Sequence, residues 1–193
     1  MGSRVRIVHV TDGAPRDPSL RPTLRGHAPS EAAAVRRSEL AAALRAGGLD
    51  PDEVLAPSLG VPDHDAVAFA VHAAARMSGM LVRIAEMSSY HAARQGQGLE
   101  PASFVPCSES SCTARHDGLL DALARVRKRA MLDAFASQGD VLASFDTLAE
   151  PLRCAPAYDF TRPPHPGTLH YERLASGWTG KRWRALARAA LKT

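Results

Sequence analysis

His64 and the acidic residues beside it are the first candidates for chemistry in this sequence. Pro62 suits the first position of a helix, and Asp63 and Asp65 place negative charge at its N-terminal end. His64 precedes Val67 by three residues, so both lie on one helical stripe that faces inward. An inward histidine beside carboxylates is a candidate metal ligand; in the simpler interpretation it hydrogen-bonds a neighbour in a capped helix.

Arg36 is a second candidate, because an arginine can bind an anionic or hydroxyl-rich ligand. It falls in line with the apolar face of a helix that we predict from Ser30 to Ala46, and Glu39 follows it by three residues. This spacing suits an arginine that Glu39 holds toward a ligand. It also suits a surface ion pair worth about 0.2–0.5 kcal/mol, and spacing alone favours the ion pair.

Asp12 and Glu86 each follow a segment with strand character. Residues 4–10 alternate and are rich in β-branched side chains, and residues 80–85 predict a second strand. Open α/β sheets bind ligands beyond the carboxyl ends of their strands, so we expect Asp12, Glu86 and His64 to share that rim. The alternative for Glu86 is a loop carboxylate with no role at the site.

Helical periodicity predicts the elements that would position these residues. The expected helices cover residues 30–46, 62–78, 119–137 and 180–191. We expect His72 in solvent, on the outer side of the second helix. The inward stripe predicted for the third helix consists of Leu119, Leu123, Val126, Ala130 and Ala134. Proline- and glycine-rich composition predicts loops elsewhere, including residues 150–170.

Composition limits the class of protein. The chain has 193 residues, 45% hydrophobic and 23% charged, which is typical of one globular domain. It has no apolar run of about 18 residues and no leader-like apolar stretch, and its three cysteines make no disulfide framework. We therefore expect a cytoplasmic protein without a membrane span. The net charge of +4 is ordinary and gives no reason to expect nucleic acid, although a basic helix beside Trp178 and Trp183 leaves that alternative open.

Several stretches, taken in order, resemble the PIG-L/LmbE-like zinc-dependent de-N-acetylases of amino-sugar conjugates. The stretches are Val-His-Val-Thr-Asp-Gly-Ala-Pro (8–15), Arg-Arg-Ser-Glu-Leu (36–40), Leu-Gly-Val-Pro-Asp (59–63), Asp-His-Asp-Ala (63–66), Glu-Met-Ser-Ser-Tyr-His-Ala (86–92), Lys-Arg-Ala-Met-Leu (128–132), Phe-Ala-Ser-Gln (135–138) and Tyr-Asp-Phe (158–160). The resemblance covers nearly the whole chain, and the order of the fragments carries it.

The resemblance implies a Rossmann-like α/β fold, with a parallel sheet flanked by helices and the site at the carboxyl ends of the strands. It also implies a zinc-bound water that attacks an acetamide carbonyl, an aspartate as general base, and release of acetate and a free amine. In the family, a His-Pro-Asp-Asp motif supplies two zinc ligands and the base. The last histidine of a His-Pro-Asp-His motif supplies the third ligand.

The chain departs from that pattern twice. It contains no His-Pro-Asp-Asp, and Val61-Pro62-Asp63-His64 stands where His-Pro-Asp-His is expected. His64 therefore carries over as the metal ligand and Asp63 as the catalytic candidate. The join at Pro62-Asp63 looks like the ends of two family segments, which predicts an internal deletion.

We therefore expect one shortened domain over residues 1–193, with a reduced parallel sheet, impaired hydrolysis and no zinc site of useful affinity. The expected ligand is a small amino-sugar conjugate, contacted by Arg36, Asp12 and Glu86. The alternative is a catalytically inactive family member that binds a sugar or a protein partner.

Overall fold

The computed structural model describes residues 7–8, 22–53, 63–79, 81–87, 90–92, 99–101, 104, 115–164, 166–173 and 177–192. These residues form a mixed α/β structure. The helices are α1 (Pro29–Ala46), α2 (Asp63–Met77), α3 (Ala122–Asp133), α4 (Gly139–Leu142) and α5 (Gly180–Ala190). The strands are β1 (Ala85–Met87), β2 (Tyr90–Ala92), β3 (Leu99–Pro101), β4 (Arg115–His116) and β5 (Leu152–Cys154). Short 3-10 helices lie at Pro22–Leu24, Pro51–Glu53, Ala136–Gln138 and His170–Arg173.

The chain divides into two compact units, which we describe separately. The first unit comprises Met1–Val67 and Leu120–Leu148, and the second comprises Ala68–Leu119 and Ala149–Thr193. The single domain expected over 1–193 stays a prediction.

The first unit is built on α1, whose predicted bounds are confirmed. Proline occupies its first position, and the Glu31 carboxylate accepts the backbone N–H of Ala28 at 2.7 Å, which satisfies a donor at the helix start. The helix ends at Gly47 and packs against α3. Among the described residues, the apolar core at α1 consists mainly of Leu24 and alanines of the helix, with Val35 packed against it.

Helix α3 buries a different face from the predicted one. Leu123 and Val126 are 67% and 68% exposed, whereas Met131 and Leu132 are half-buried. The predicted stripe was counted from Leu119, which precedes the helix and forms a β-bridge instead. Met131 lies against Gly47 at the end of α1, so α1 contacts a different face of α3 from the predicted one.

The described strands of the second unit pair only in antiparallel fashion. Central β5 pairs with β1 on one side and β4 on the other, and β2 pairs with β3 in a separate ribbon. The parallel sheet expected from the resemblance is not among these pairs. Residues 81–84 of the second predicted strand have no regular structure, and of residues 4–10 only Ile7 and Val8 are described. β5 lies in a segment that was expected to be a loop.

Aromatic side chains pack against one another in the described part of the second unit. The centre of the Phe69 ring lies 5.4 Å from that of Phe160 and 6.0 Å from that of Trp183, and both pairs pack edge to face. The centre of the His72 ring lies 5.3 Å from that of Tyr158 and 5.6 Å from that of Phe160. The prediction that His72 lies in solvent is therefore wrong. The large apolar area of Phe69, rather than the valine stripe, sets the inward face of α2 in this unit.

The C-terminal helix α5 is confirmed nearly as predicted. The Thr179 hydroxyl accepts the backbone N–H of Arg182 at 3.2 Å and caps the helix. The Arg182 guanidinium lies over the Trp178 ring at 4.6 Å. None of the helices in the described part of the chain has both the length and the apolar character that a bilayer crossing requires.

Replacing Gly118 by alanine should destabilise the protein strongly. Gly118 has φ 58°, and a Cβ there would collide with the Glu150 carbonyl, whose own N–H is bonded to Gly118. We expect the free energy of unfolding to fall by about 2–3 kcal/mol in denaturant titrations followed by circular dichroism.

Gly139→Ala is the matched control, because Gly139 has helical φ −50° and no atom within 4 Å of an added Cβ. Its stability should stay unchanged or rise by up to about 1 kcal/mol. Equal losses in both variants would contradict the close approach at Gly118.

Candidate functional site

Arg36 is a buried arginine on the inner face of α1. Its side chain is 8% exposed and shares the helix face of Ala32 and Ala33, the alanines of the small core. The buried nitrogens Nε and Nη1 have no hydrogen-bond partner among the residues that the structure describes. Buried polar groups nearly always have partners, so this guanidinium is an exception that needs an explanation.

Glu39, one turn later on the same helix, is also buried, at 9% exposure. Its Oε1 accepts the backbone N–H of Ser137 and its Oε2 accepts the Ser137 hydroxyl, both at 2.6 Å. The Ser137 carbonyl in turn accepts the Thr23 hydroxyl at 2.5 Å. One carboxylate thereby connects α1 to the 3-10 helix Ala136–Gln138, and Ser137 connects that helix to Pro22–Leu24.

The electrostatics of Arg36 follow from its burial. Burial lowers the pKa of the Arg36 guanidinium, and the negative charge of Glu39 opposes that shift. An arginine keeps its charge at physiological pH even so. Within the described structure Glu39 bonds Ser137 rather than these Arg36 nitrogens, so the expected surface ion pair is not what the structure contains.

The other residues expected in the first unit are not described at side-chain level. Asp12 lies outside the described residues, and Asp63 and His64 are described only as the first two residues of α2. Across the described ranges, no three His, Cys, Asp or Glu side chains come together as metal ligands would. The side chains that the resemblance implies as metal ligands lie outside the described part, so the absence of zinc stays a prediction.

Glu86 lies in the second unit, within β1 rather than beyond a strand end. It sits opposite Arg153 in the antiparallel register, and its Oε1 accepts Nε of Arg153 at 2.6 Å. The Tyr158 hydroxyl donates to the same carboxylate, 2.9 Å from Oε1 and 2.8 Å from Oε2. The Arg153 guanidinium also lies 4.5 Å from the centre of the Phe104 ring. Both oxygens of Glu86 are thus engaged within the protein.

The Glu86 cluster shifts the pKa values of Tyr158 and Arg153. Burial, together with the hydrogen bond to Glu86, raises the pKa of Tyr158 to about 12. Burial alone would lower the pKa of Arg153, but the bonds to Glu86 and Tyr158 outweigh it and raise the pKa. These shifts extend to higher pH the range in which Arg153 is charged and Tyr158 is neutral.

Sequence reasoning missed Ser137, Arg153 and Tyr158 as site residues. Their roles depend on contacts between residues 67 or more positions apart. The only signal for Ser137 and Tyr158 was their place in stretches that resemble the family.

No model of a known protein family matches the chain, and neither does a curated protein or a solved structure. The resemblance therefore stays an interpretation of motif order.

Replacing Glu86 by glutamine should lower the pKa of Tyr158 from about 12 toward its ordinary value of 10.0, because it removes the negative charge that favours the neutral phenol. The measurement is ultraviolet absorbance of tyrosinate against pH, with Tyr158→Phe to identify the late-titrating group. Because the folded pKa is raised, the linked stabilisation is present below pH 10 and is lost as pH rises through about 12. An unchanged titration in Glu86→Gln would contradict the contact.

Proposed function

We propose that the chain is a shortened PIG-L/LmbE-like de-N-acetylase-family protein that binds a small amino-sugar conjugate, with Arg36 as a substrate-binding residue. The observation that carries the proposal is the buried guanidinium whose Nε and Nη1 lack partners in the described structure. A charge buried without hydrogen bonds costs several kcal/mol, on the order of 3–5 when one partner of a pair is removed. A ligand that supplies oxygen acceptors would remove this penalty.

The chemistry of Arg36 suits hydroxyl-rich or anionic ligands. A guanidinium has five N–H donors and no acceptor, so it binds sugar hydroxyls, carboxylates and phosphates. Its charge is independent of pH over the physiological range, so binding through it needs no titrating group.

The finer parts of the proposal have two sources. The Rossmann-like parallel sheet, Asp63 as a catalytic residue and His64 as a metal ligand rest on the resemblance. Asp12 as a substrate contact rests on its place after the first predicted strand, and a cytoplasmic location rests on composition. Metal-dependent removal of an N-acetyl group is the activity of the family. We expect it to be impaired in this chain, because the sequence contains no His-Pro-Asp-Asp motif. A catalytically inactive member that still binds the sugar is the second candidate, and Arg36 supports it equally.

Replacing Arg36 by methionine should weaken binding of the amino-sugar ligand without greatly lowering the stability of the fold. Losing charge-assisted bonds to a ligand should lower affinity for an N-acetylglucosaminyl glycoside at least about tenfold in titration calorimetry. Removing the buried charge removes its burial penalty but also its attraction to Glu39, so we expect the free energy of unfolding to change by no more than about 1 kcal/mol.

Arg37→Met is the control, since Arg37 is the exposed neighbour on the same helix. It should change neither quantity by much. If Arg36→Met destabilised the protein and left sugar affinity unaltered, Arg36 would be a structural residue and the proposed function would fail.

The two candidates differ in metal content and turnover. We predict that purified protein, dialysed and analysed for metals, contains much less than one zinc per chain and releases no acetate from N-acetylglucosaminyl conjugates. Stoichiometric zinc and zinc-dependent acetate release, both lost in His64→Ala, would instead establish an active deacetylase.

A further inference from the structure

The contact between Glu39 and Ser137 bears directly on whether Arg36 is available. Residues three apart on a helix are neighbours, and an arginine and a glutamate in that relation ordinarily form an ion pair. Here both carboxylate oxygens bond to Ser137 at 2.6 Å, and the buried Nε and Nη1 of Arg36 are left without partners among the described residues. The residue that bonds both Glu39 oxygens lies 98 positions away from Glu39.

We infer that Ser137 is a positioning residue that keeps the Glu39 carboxylate from bonding Arg36, so that Nε and Nη1 of the guanidinium keep unused donors for a ligand. This inference rests on the proposed function, because it assigns a purpose to the unused donors of Arg36. Ser137 itself touches no ligand in this scheme and acts only through Glu39.

The geometry of Ser137 suits this task. Its backbone N–H and its hydroxyl donate to different oxygens of one carboxylate, and bonds of this length to a charged acceptor are strong. Its carbonyl is fixed by the Thr23 hydroxyl, so the donors are held in place by a third segment. The Glu39 charge still lowers the electrostatic cost of burying Arg36, since it opposes the shift that burial causes in the Arg36 pKa.

Removing the Ser137 hydroxyl should redirect Glu39 to Arg36. In Ser137→Ala one oxygen of Glu39 loses its donor, and Arg36, three residues earlier on the same helix, has unsatisfied donors. A carboxylate bound to the guanidinium competes with the ligand, so we expect affinity for the same N-acetylglucosaminyl glycoside to fall about tenfold.

The direct readout is the Arg36 Nε–H signal in proton–nitrogen NMR of the full chain. We expect it to move downfield and to exchange more slowly in Ser137→Ala, because the proton gains a carboxylate acceptor. Ser137→Thr keeps a hydroxyl at the same position and should show the wild-type signal and affinity.

Ser144→Ala is the control, because it also removes one serine hydroxyl of the first unit, bonded to the Val141 carbonyl at 2.9 Å. It should change neither the signal nor the affinity.

A Glu39→Gln background completes the test. There Ser137→Ala should no longer move the Arg36 signal, because the competing carboxylate is gone. An Arg36 Nε–H signal that is the same in wild type and Ser137→Ala would overturn the inference. If wild type binds no glycoside at all, the proposed function fails, and the Arg36 signal alone then decides on the role of Ser137.

Discussion

The first unit depends on how the buried charge of Glu39 is satisfied. A carboxylate cannot be taken from water without strong donors, and Ser137 supplies two of them. That requirement holds α1 against the 3-10 helix Ala136–Gln138. These hydrogen bonds matter because the buried alanines of α1 contribute little apolar area to the packing.

Each unit contains an arginine and a glutamate close together, but only in the second unit do the two bond to each other. In the second unit, Glu86 and Arg153 face each other across two antiparallel strands and bond directly, and the Tyr158 hydroxyl donates to the same carboxylate. The bond between Glu86 and Arg153 joins β1 to β5. In the first unit Glu39 bonds Ser137, and the buried Nε and Nη1 of Arg36 have no partner among the described residues.

Helix positions were predictable from the sequence because helices are local. Proline starts, glycine stops and the spacing of apolar residues placed α1, α2 and α5 within about two residues of their observed ends, the usual uncertainty of such boundaries. The side that each helix buries was less predictable, because it is decided by its neighbours. Leu123 is exposed and His72 half-buried because packing partners distant in sequence select the inward face. Strands of three residues or fewer carry too little periodicity to be recognised, so the pairing of Glu86 with Arg153 could not be anticipated.

The placement of the aromatic residues limits what fluorescence can report. The sequence has two tryptophans, and both belong to the second unit, Trp183 against Phe69 and Trp178 under the Arg182 guanidinium. Intrinsic tryptophan emission therefore follows the unfolding of the second unit. The first unit, with Arg36, contains no such fluorophore and is optically silent at those wavelengths. A tryptophan introduced at an exposed position of α1 would give the first unit an emission signal of its own.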